Sequence, residues 1–218
     1  MSSPTYLLAT RNAGKLRELR DLFAHRGIDV IDLSEARVPA TPDEDSIESW
    51  DTFEENALAK AHYFHRLTGL PSFADDSGLS VAALAGRPGV RSKRWSGRTD
   101  LSGPALDTAN NVALIAELHR RFALPAAAEF VCAAAFADGS RSLARTGRTE
   151  GEIVAQQRGL GGFGYDAHFV SADLHQTFGE ADLAAKLNVS HRARAFTSLL
   201  SALFAEATPA LHKPGSRD

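Results

Sequence analysis

Four short stretches of this sequence combine residue types that could bind an anionic, phosphorylated ligand. Each places glycine or small residues, which let a ligand approach the backbone, beside charged or hydrogen-bonding side chains. Taken singly, each stretch also has an ordinary structural explanation as a capped turn, an Asp-rich turn, a glycine turn or a surface basic cluster. The stretches are residues 10–15, 75–78 and 163–166, and Lys186 together with residues 190–192.

The first stretch lies between an apolar run and a helical pattern. Residues 6–9 are predicted as a buried strand, and Leu16, Leu19 and Leu22 recur at helical spacing. The free N–H groups and the dipole of a helix N-terminus attract anions, and Lys15 adds a full positive charge. The sequence lacks the Walker A pattern. It therefore predicts a phosphate-binding turn of another kind.

Two adjacent carboxylates, Asp75 and Asp76, follow the apolar run 71–74. The pattern predicts a strand that ends in a turn at residues 75–78, and ligands of α/β sheets bind at such strand ends. Magnesium prefers oxygen ligands and usually takes one or two carboxylates with waters and substrate phosphates. We interpret the pair as a candidate Mg²⁺ site.

The two remaining stretches offer surfaces for a base. Aromatic rings beside glycines supply stacking faces that a ligand can reach. His191 and Arg192 follow Ser190, a predicted N-cap, and cations at a helix N-terminus oppose its macrodipole. A local rule broken in this way often marks a functional site.

The elements that must position these residues indicate an α/β fold with a mixed sheet. The clearest helix covers residues 52–67, where Thr52 and Glu55 have capping-box spacing and Gly69 is the expected C-cap. Residues 130–137 and 141–145 flank an Asp-Gly pair and predict a hairpin. Helices mixed with strands and one hairpin favour this fold class.

Composition restricts the class of protein. The chain has 218 residues, 44% apolar and 23% charged, which predicts one globular domain (residues 1–208) and a C-terminal tail (209–218). A net charge of −3 argues against a nucleic-acid partner. The single cysteine, Cys132, excludes an intramolecular disulfide and fits a reducing compartment. Without a signal segment or a membrane span in the sequence, we expect a cytoplasmic protein with no membrane partner.

Together, the order and spacing of the motifs resemble a known enzyme family, the non-canonical purine NTP pyrophosphatases, which act on inosine and xanthosine triphosphates. The similarity extends from Ala9 to Ala195, and the joint match is highly specific. The matching segments are ATRNAGKLREL, TFEENALAKA, FADDSGL, GRPGV, GGFGYD and SHRARA. The resemblance implies an elongated mixed β-sheet flanked by helices, two lobes with a central nucleotide-binding cleft, a Mg²⁺ cofactor and a homodimer.

The resemblance also implies roles for individual residues. Asp76 is expected to be the catalytic proton acceptor and a metal ligand, with Asp75 and Glu48 as further metal ligands; Trp50, near Glu48, replaces a glycine of the family. The other implied residues bind the substrate through its phosphates, sugar or base. They are Thr10, Arg11, Asn12, Ala13, Gly14, Lys15, Ser77, Phe163, Gly164, Tyr165, Asp166, Lys186, His191 and Arg192.

The reaction implied by the resemblance is attack of water on the α-phosphorus of ITP, dITP or XTP, with pyrophosphate leaving. Such an activity would cleanse the nucleotide pool and prevent incorporation into DNA and RNA. Three alternatives stay open from sequence: a pyrophosphatase of ordinary or pyrimidine triphosphates, a nucleotide-binding regulator without turnover, and a structural nucleic-acid binder. The adjacent carboxylates disfavour the regulator, and the acidic balance disfavours the nucleic-acid binder.

Overall fold

The computed structural model describes residues 5–205, which form one mixed sheet with helices packed against it. The predicted tail lies outside the described residues. The strands are β1 (Tyr6–Leu8), β2 (Val30–Asp32), β3 (Ser72–Val81), β4 (Ala126–Ala137), β5 (Ser142–Ile153) and β6 (Phe169–Ser171). The α-helices are α1 (Ala13–Ala24), α2 (Glu44–Ile47), α3 (Phe53–Thr68), α4 (Gly103–Arg120), α5 (Leu183–Val189) and α6 (His191–Ala205). Two 3₁₀ helices cover Ala82–Leu84 and Gly89–Arg94.

The six strands are ordered β2-β1-β3-β4-β5-β6. β1 runs parallel to β2 and β3, whereas the pairs β3–β4, β4–β5 and β5–β6 are antiparallel. The expected α/β fold with a mixed sheet is confirmed. β4 and β5 form the predicted hairpin, and both strands are longer than the sequence signal.

The core is divided by the sheet, because successive side chains of a strand point to opposite faces. Phe73 of β3 packs in a cluster with helices α1 and α6, and the next residue, Ala74, packs in a second cluster with α3. A third cluster, containing Leu79, Leu114 and Phe169, lies further along β3. The long central strand thus connects all three clusters.

Helix α3 matches its sequence signals at both ends. The side chain of Thr52 accepts a hydrogen bond from the backbone N–H of Glu55, as an N-cap does. Gly69 ends the helix with φ +71°, in the left-handed region that glycine adopts without strain. The predicted helix is confirmed, shifted by one residue.

The predicted turn at residues 75–78 is wrong, because these residues lie in the middle of β3. Continuous antiparallel pairing with β4 holds them extended, with Asp75 opposite Ala134 and Asp76 opposite Ala133. Gly78 is needed for close packing rather than for a turn, since an added Cβ would overlap the Gly89 carbonyl. Within residues 5–205, no helix combines the length and the apolar character required to cross a membrane.

Candidate functional site

The site lies where β1 ends beside β3. β1 pairs with β3 only as far as Phe73, so the next residues of β3 face the turn between β1 and α1 instead of a strand. In that turn the Thr10 Oγ1 accepts from the Asn12 N–H at 3.2 Å, and Asn12 Oδ1 accepts from the Lys15 N–H at 2.9 Å. Asn12 is the N-cap of α1, whose first turn carries no acidic residue. A helix N-terminus of this kind favours anions.

The Arg11 side chain turns away from this helix N-terminus. It forms an ion pair with Glu44 at 2.7 Å and donates to the carbonyls of Val38 and Pro39. Its guanidinium therefore fastens the loop that leads into α2. What Arg11 offers a ligand in this arrangement is its backbone.

Asp75 is a fully buried counter-ion. Its Oδ2 lies 3.1 Å from Lys15 Nζ and 3.1 Å from Arg192 Nε. Burial works to raise the pKa of this carboxyl, but Lys15 and Arg192 outweigh burial and hold the pKa below its usual value. Asp75 Oδ1 has no hydrogen-bond partner among the described residues.

Asp76 points to the opposite face of β3, toward α3. Its Oδ2 accepts from Asn56 Nδ2 at 2.9 Å, and its Oδ1 accepts from the Ser77 N–H at 2.9 Å. Burial raises the pKa of Asp76, and the nearby charge of Glu48 raises it further. Asp76 is thus a better proton acceptor than an exposed aspartate.

Glu48 and Lys60 add a carboxylate and an ammonium group beside the two aspartates. Lys60 Nζ forms an ion pair with Glu48 and donates to the Asp75 carbonyl at 2.9 Å. Burial works to raise the pKa of Glu48, whereas Lys60 and Lys15 lower it with the larger combined effect. Sequence reasoning missed Lys60 and Asn56; their spacing of four residues places them on one face of α3 and could have identified them.

The donor set of Asp76 and Glu48 fits Mg²⁺. Both are carboxylates, the ligands that this ion prefers, and Mg²⁺ commonly completes its shell with waters and substrate phosphates. Within residues 5–205, no group of three or more His, Cys, Asp and Glu side chains is arranged to hold a metal without such help. Asp75, enclosed by two cations, is the less accessible of the adjacent carboxylates.

The Phe163 ring covers the other side of the site. It contacts Gly14 so closely that a Cβ added there would overlap the ring. The ring also lies over Lys186 Nζ at 4.9 Å and over the Arg192 guanidinium carbon at 5.6 Å from the ring centroid. Asp166 Oδ2 accepts from the Phe163 N–H at 2.8 Å. An aromatic face therefore stands directly beside the N-terminus of α1.

A buried network of ion pairs lies against the Phe163 ring; its members are Glu18, Asp166, Lys186 and Arg192. Lys186 Nζ lies 2.7 Å from Glu18 and 2.5 Å from Asp166. Arg192 pairs with Glu18 and donates to Ser77 Oγ at 2.8 Å. Glu18 is 1% exposed and was missed by sequence reasoning, because it reads as an ordinary polar residue of α1.

His191 and Tyr165 are buried beside the network. The His191 ring stacks on Phe130 with centroids 4.7 Å apart, and its Nδ1 has no partner within the described part of the chain. Burial and the cations Arg192 and Lys186 lower the pKa of His191, which keeps it neutral. The Tyr165 hydroxyl donates to the Ser92 carbonyl at 2.8 Å and so joins its own loop to the 3₁₀ helix Gly89–Arg94.

All four stretches singled out from the sequence converge here, together with Glu48. The site combines the N-terminus of α1, two lysines, the carboxylates of Asp76 and Glu48, and an aromatic ring that lies against two buried cations. This arrangement can bind a planar, polyanionic ligand and activate a water molecule beside it.

Known proteins are similar to this chain in sequence and in fold. The family model of the Ham1 family matches residues 6–202. A dITP/XTP pyrophosphatase of Burkholderia pseudomallei is 44% identical over 200 residues, covering 90% of this chain and 92% of that protein. A dITP/XTP pyrophosphatase of Symbiobacterium thermophilum is 41% identical and covers 99% of this chain and 100% of its own length.

Solved structures agree. A HAM1 protein from Coxiella burnetii superposes with a TM-score of 0.77 at 33% identity, covering 93% of this chain and 100% of that one. The Staphylococcus aureus Ham1 protein gives a TM-score of 0.75 at 30% identity, with 93% and 99% coverage. The family expected from the sequence motifs is confirmed: the chain belongs to the Ham1 family.

Proposed function

We propose that the protein hydrolyses non-canonical purine nucleoside triphosphates, namely ITP, dITP and XTP, to the monophosphate and pyrophosphate, and so removes them from the nucleotide pool. The observation that carries the proposal is the meeting of the Thr10–Lys15 turn, the Asp76–Glu48 pair and the Phe163 ring at one place. Relatives at 44% identity bear the name dITP/XTP pyrophosphatase, which supports this choice of substrate.

Phosphate binding follows from the charges of the site. A triphosphate repels a nucleophile, so its charge must be neutralised before water can attack the α-phosphorus. Lys15 and Lys60 supply two ammonium groups, and the N-terminus of α1 supplies free N–H groups. Mg²⁺ held by Asp76 and Glu48 would add charge neutralisation at the phosphates.

Asp76 is assigned the role of proton acceptor for the attacking water. Its carboxylate oxygens can accept a proton, and its hydrogen bond from Asn56 fixes the orientation of the carboxylate. Asp75 serves as the internal counter-ion of Lys15. In this assignment it holds the phosphate-binding lysine in place without contacting the reacting atoms.

Base selection is assigned to Lys186 and Arg192, the two cations that lie against the Phe163 ring. Lys186 and Arg192 carry only hydrogen-bond donors, which suit the 6-oxo group of hypoxanthine and xanthine and oppose the 6-amino group of adenine. Phe163 supplies a face for stacking of the base. The surroundings of the base would also include Gly164, Tyr165, Asp166 and His191.

We further propose that the enzyme depends on Mg²⁺ and acts in the cytoplasm as a homodimer. The oxygen ligands of Asp76 and Glu48 support the metal. The single cysteine, Cys132, is fully buried, and burial raises the pKa of its thiol, which fits a protein that needs no oxidising compartment. The homodimer follows from the family resemblance.

The deciding experiment is a triphosphate panel with detection of released pyrophosphate. ITP, dITP, XTP, ATP, GTP, CTP and UTP are compared with Mg²⁺, with EDTA, and with the Asp76→Asn variant as a matched control. Preferential, EDTA-sensitive release of pyrophosphate from the 6-oxo nucleotides supports the proposal. Equal turnover of ATP or of pyrimidine triphosphates would favour a broader pyrophosphatase, and binding without turnover would favour a regulator.

A further inference from the structure

Both backbone polar groups of Gly164 are held by two side chains of α4. The Gly164 N–H donates to Asp107 Oδ2 at 2.8 Å, and the Gly164 carbonyl accepts from Asn111 Nδ2, also at 2.8 Å. Asp107 and Asn111 are one helical turn apart and lie on one face of α4. Sequence reasoning gave neither residue a role.

The partners define the orientation of the Asn111 amide. Its Nδ2 also donates to the Asp107 carbonyl at 3.0 Å, so a flipped amide would press an oxygen against two carbonyl oxygens. The remaining Oδ1 is buried without a hydrogen-bond partner in the described part of the chain. Asn111 therefore directs both hydrogen bonds of its amide nitrogen at backbone carbonyls, one in α4 and one at Gly164.

The loop around Gly164 needs this support because open space lies behind it. A cavity of about 640 Å³ is bordered by α4 and by this loop, and its lining includes Asp107, Asn111, Phe163 and Gly164. Gly164 has φ +61°, and an added Cβ would meet no atom within 4 Å. Hydrogen bonds to α4, rather than packing, therefore hold Gly164 in place.

We propose that Asp107 and Asn111 form a clamp that positions Phe163 for binding of the base. Phe163 immediately precedes Gly164, and its own N–H is fixed by Asp166. With the next peptide held by α4, the ring stays over Lys186 and Arg192. The clamp residues contact neither the phosphate-binding turn nor Asp76, so they act on base recognition through Phe163.

The same helix also fixes the facing loop. Asn110 Oδ1 accepts from the Ser96 N–H at 2.8 Å, and Asn110 Nδ2 donates to the Lys93 carbonyl at 3.1 Å. Asn110 thus holds the segment of residues 92–96, and Asn111 holds Gly164. Tyr165 joins the same two segments through its hydrogen bond to Ser92, so α4 supports both of them.

The inference rests on the proposed function, and its kinetic test compares ITP with ATP. Asn111→Ala and Asp107→Ala are expected to raise KM for ITP about threefold to tenfold and to narrow the ITP-to-ATP ratio of kcat/KM, with kcat for ITP changed less than about twofold. Asp107→Asn retains an acceptor for the Gly164 N–H and should stay near wild type. Thr108→Ala is the matched control, because its hydroxyl bonds only its own helix at Pro104 and borders the same cavity.

Two further measurements separate positioning from general loss of structure. Asn111→Ala improves helix propensity, which offsets the loss of its hydrogen bonds, so its Tm should stay close to that of wild type while KM rises. Amide hydrogen exchange in residues 160–166 should become faster in both alanine variants and stay unchanged in Thr108→Ala.

Unchanged KM, unchanged base preference and unchanged exchange in both alanine variants would overturn the clamp. A fall in kcat together with a lowered Tm in Asn111→Ala would also overturn it, because that result describes a structural residue. If the wild-type protein cleaves no triphosphate, the proposed function fails. Hydrogen exchange then still decides whether α4 holds the Phe163 segment.

Discussion

At the scale of single residues, Asp75 and Asp76 are neighbours in sequence but face opposite sides of β3. Asp75 meets Lys15 of α1 and Arg192 of α6, whereas Asp76 meets Asn56 of α3. The period of two along a strand imposes this separation. In the proposed function, Asp75 balances charge and Asp76 takes part in the chemistry.

Asp76→Asn is expected to lower kcat by at least about 10²-fold with the fold intact, because an amide is neither a base nor a good Mg²⁺ ligand. The measurement is pyrophosphate release from ITP, with folding followed by circular dichroism. Asp75→Asn is the matched comparison and should lower stability by about 3–5 kcal/mol, since Lys15 and Arg192 lose a buried partner. Near-wild-type turnover in Asp76→Asn would remove it from the mechanism.

Arg192→Ala is expected to affect both stability and base choice. The guanidinium pairs with Glu18 and Asp75, and its removal leaves two buried carboxylates short of a counter-ion, at about 3–5 kcal/mol. Urea unfolding measures this loss. The second measurement is the ratio of kcat/KM for ITP to that for ATP, which should narrow in Arg192→Ala and narrow less in Arg192→Lys, because lysine is also a cation that carries only donors. A ratio equal to that of wild type would show that Arg192 serves the fold alone.

At the scale of elements, sequence patterns predicted structure well where the signals are local. The cap of α3, its C-terminal glycine and the hairpin of β4 and β5 follow from short-range turn and cap chemistry. The error at residues 75–78 has a tertiary cause. Aspartate, serine and glycine favour turns, but β4 pairs with all ten residues of β3 and overrides that preference.

Apolar spacing also fails to predict which residues of α4 are buried. The apolar spacing of Val112, Ile115, Leu118 and Phe122 predicts a helix, and α4 contains the first three residues. Yet Val112 is 66% and Phe122 96% exposed, while polar Asn110 is buried. Buried Asn110 bonds two backbone groups of one segment, at Lys93 and Ser96, and periodicity cannot reveal such contacts.

Gly147→Ala tests how α6 packs on β5. A Cβ at this position would overlap the backbone of His191 and Ala195, so α6 crosses β5 where only glycine fits. We expect a loss of about 1–3 kcal/mol in unfolding free energy and reduced turnover, since α6 begins with His191 and Arg192. Thr146→Ala, at an exposed neighbouring position, is the control. Wild-type stability in Gly147→Ala would contradict this packing.

At the scale of the whole molecule, the site depends on contacts between distant parts of the chain. Glu18 and Arg192 pair across 174 positions, and Arg192 reaches Ser77 across 115. The sequence indicated that four stretches cooperate, yet it did not reveal the ion pairs between them. Those pairs exist only after the sheet has brought α1, β3 and α6 together.

A nucleotide bound at this site should therefore stabilise the molecule as a unit, because it contacts segments from both ends of the chain. A ligand that binds only the folded state at 100 times its Kd adds about 2.7 kcal/mol, which for a chain of this size raises Tm by about 5–11 °C. The measurement is calorimetric unfolding with Mg²⁺ and the α,β-methylene analogue of ITP, which resists cleavage at the reacting bond. The corresponding ATP analogue at the same concentration should give a smaller shift, because adenine presents a donor to Lys186 and Arg192.

In Lys15→Ala both shifts should shrink together, since the lost charge serves the phosphates that the two analogues share. Equal shifts for the two analogues in the wild-type protein would place base selection outside the ground-state complex, and the absence of any shift would argue that the Thr10–Lys15 turn binds no triphosphate.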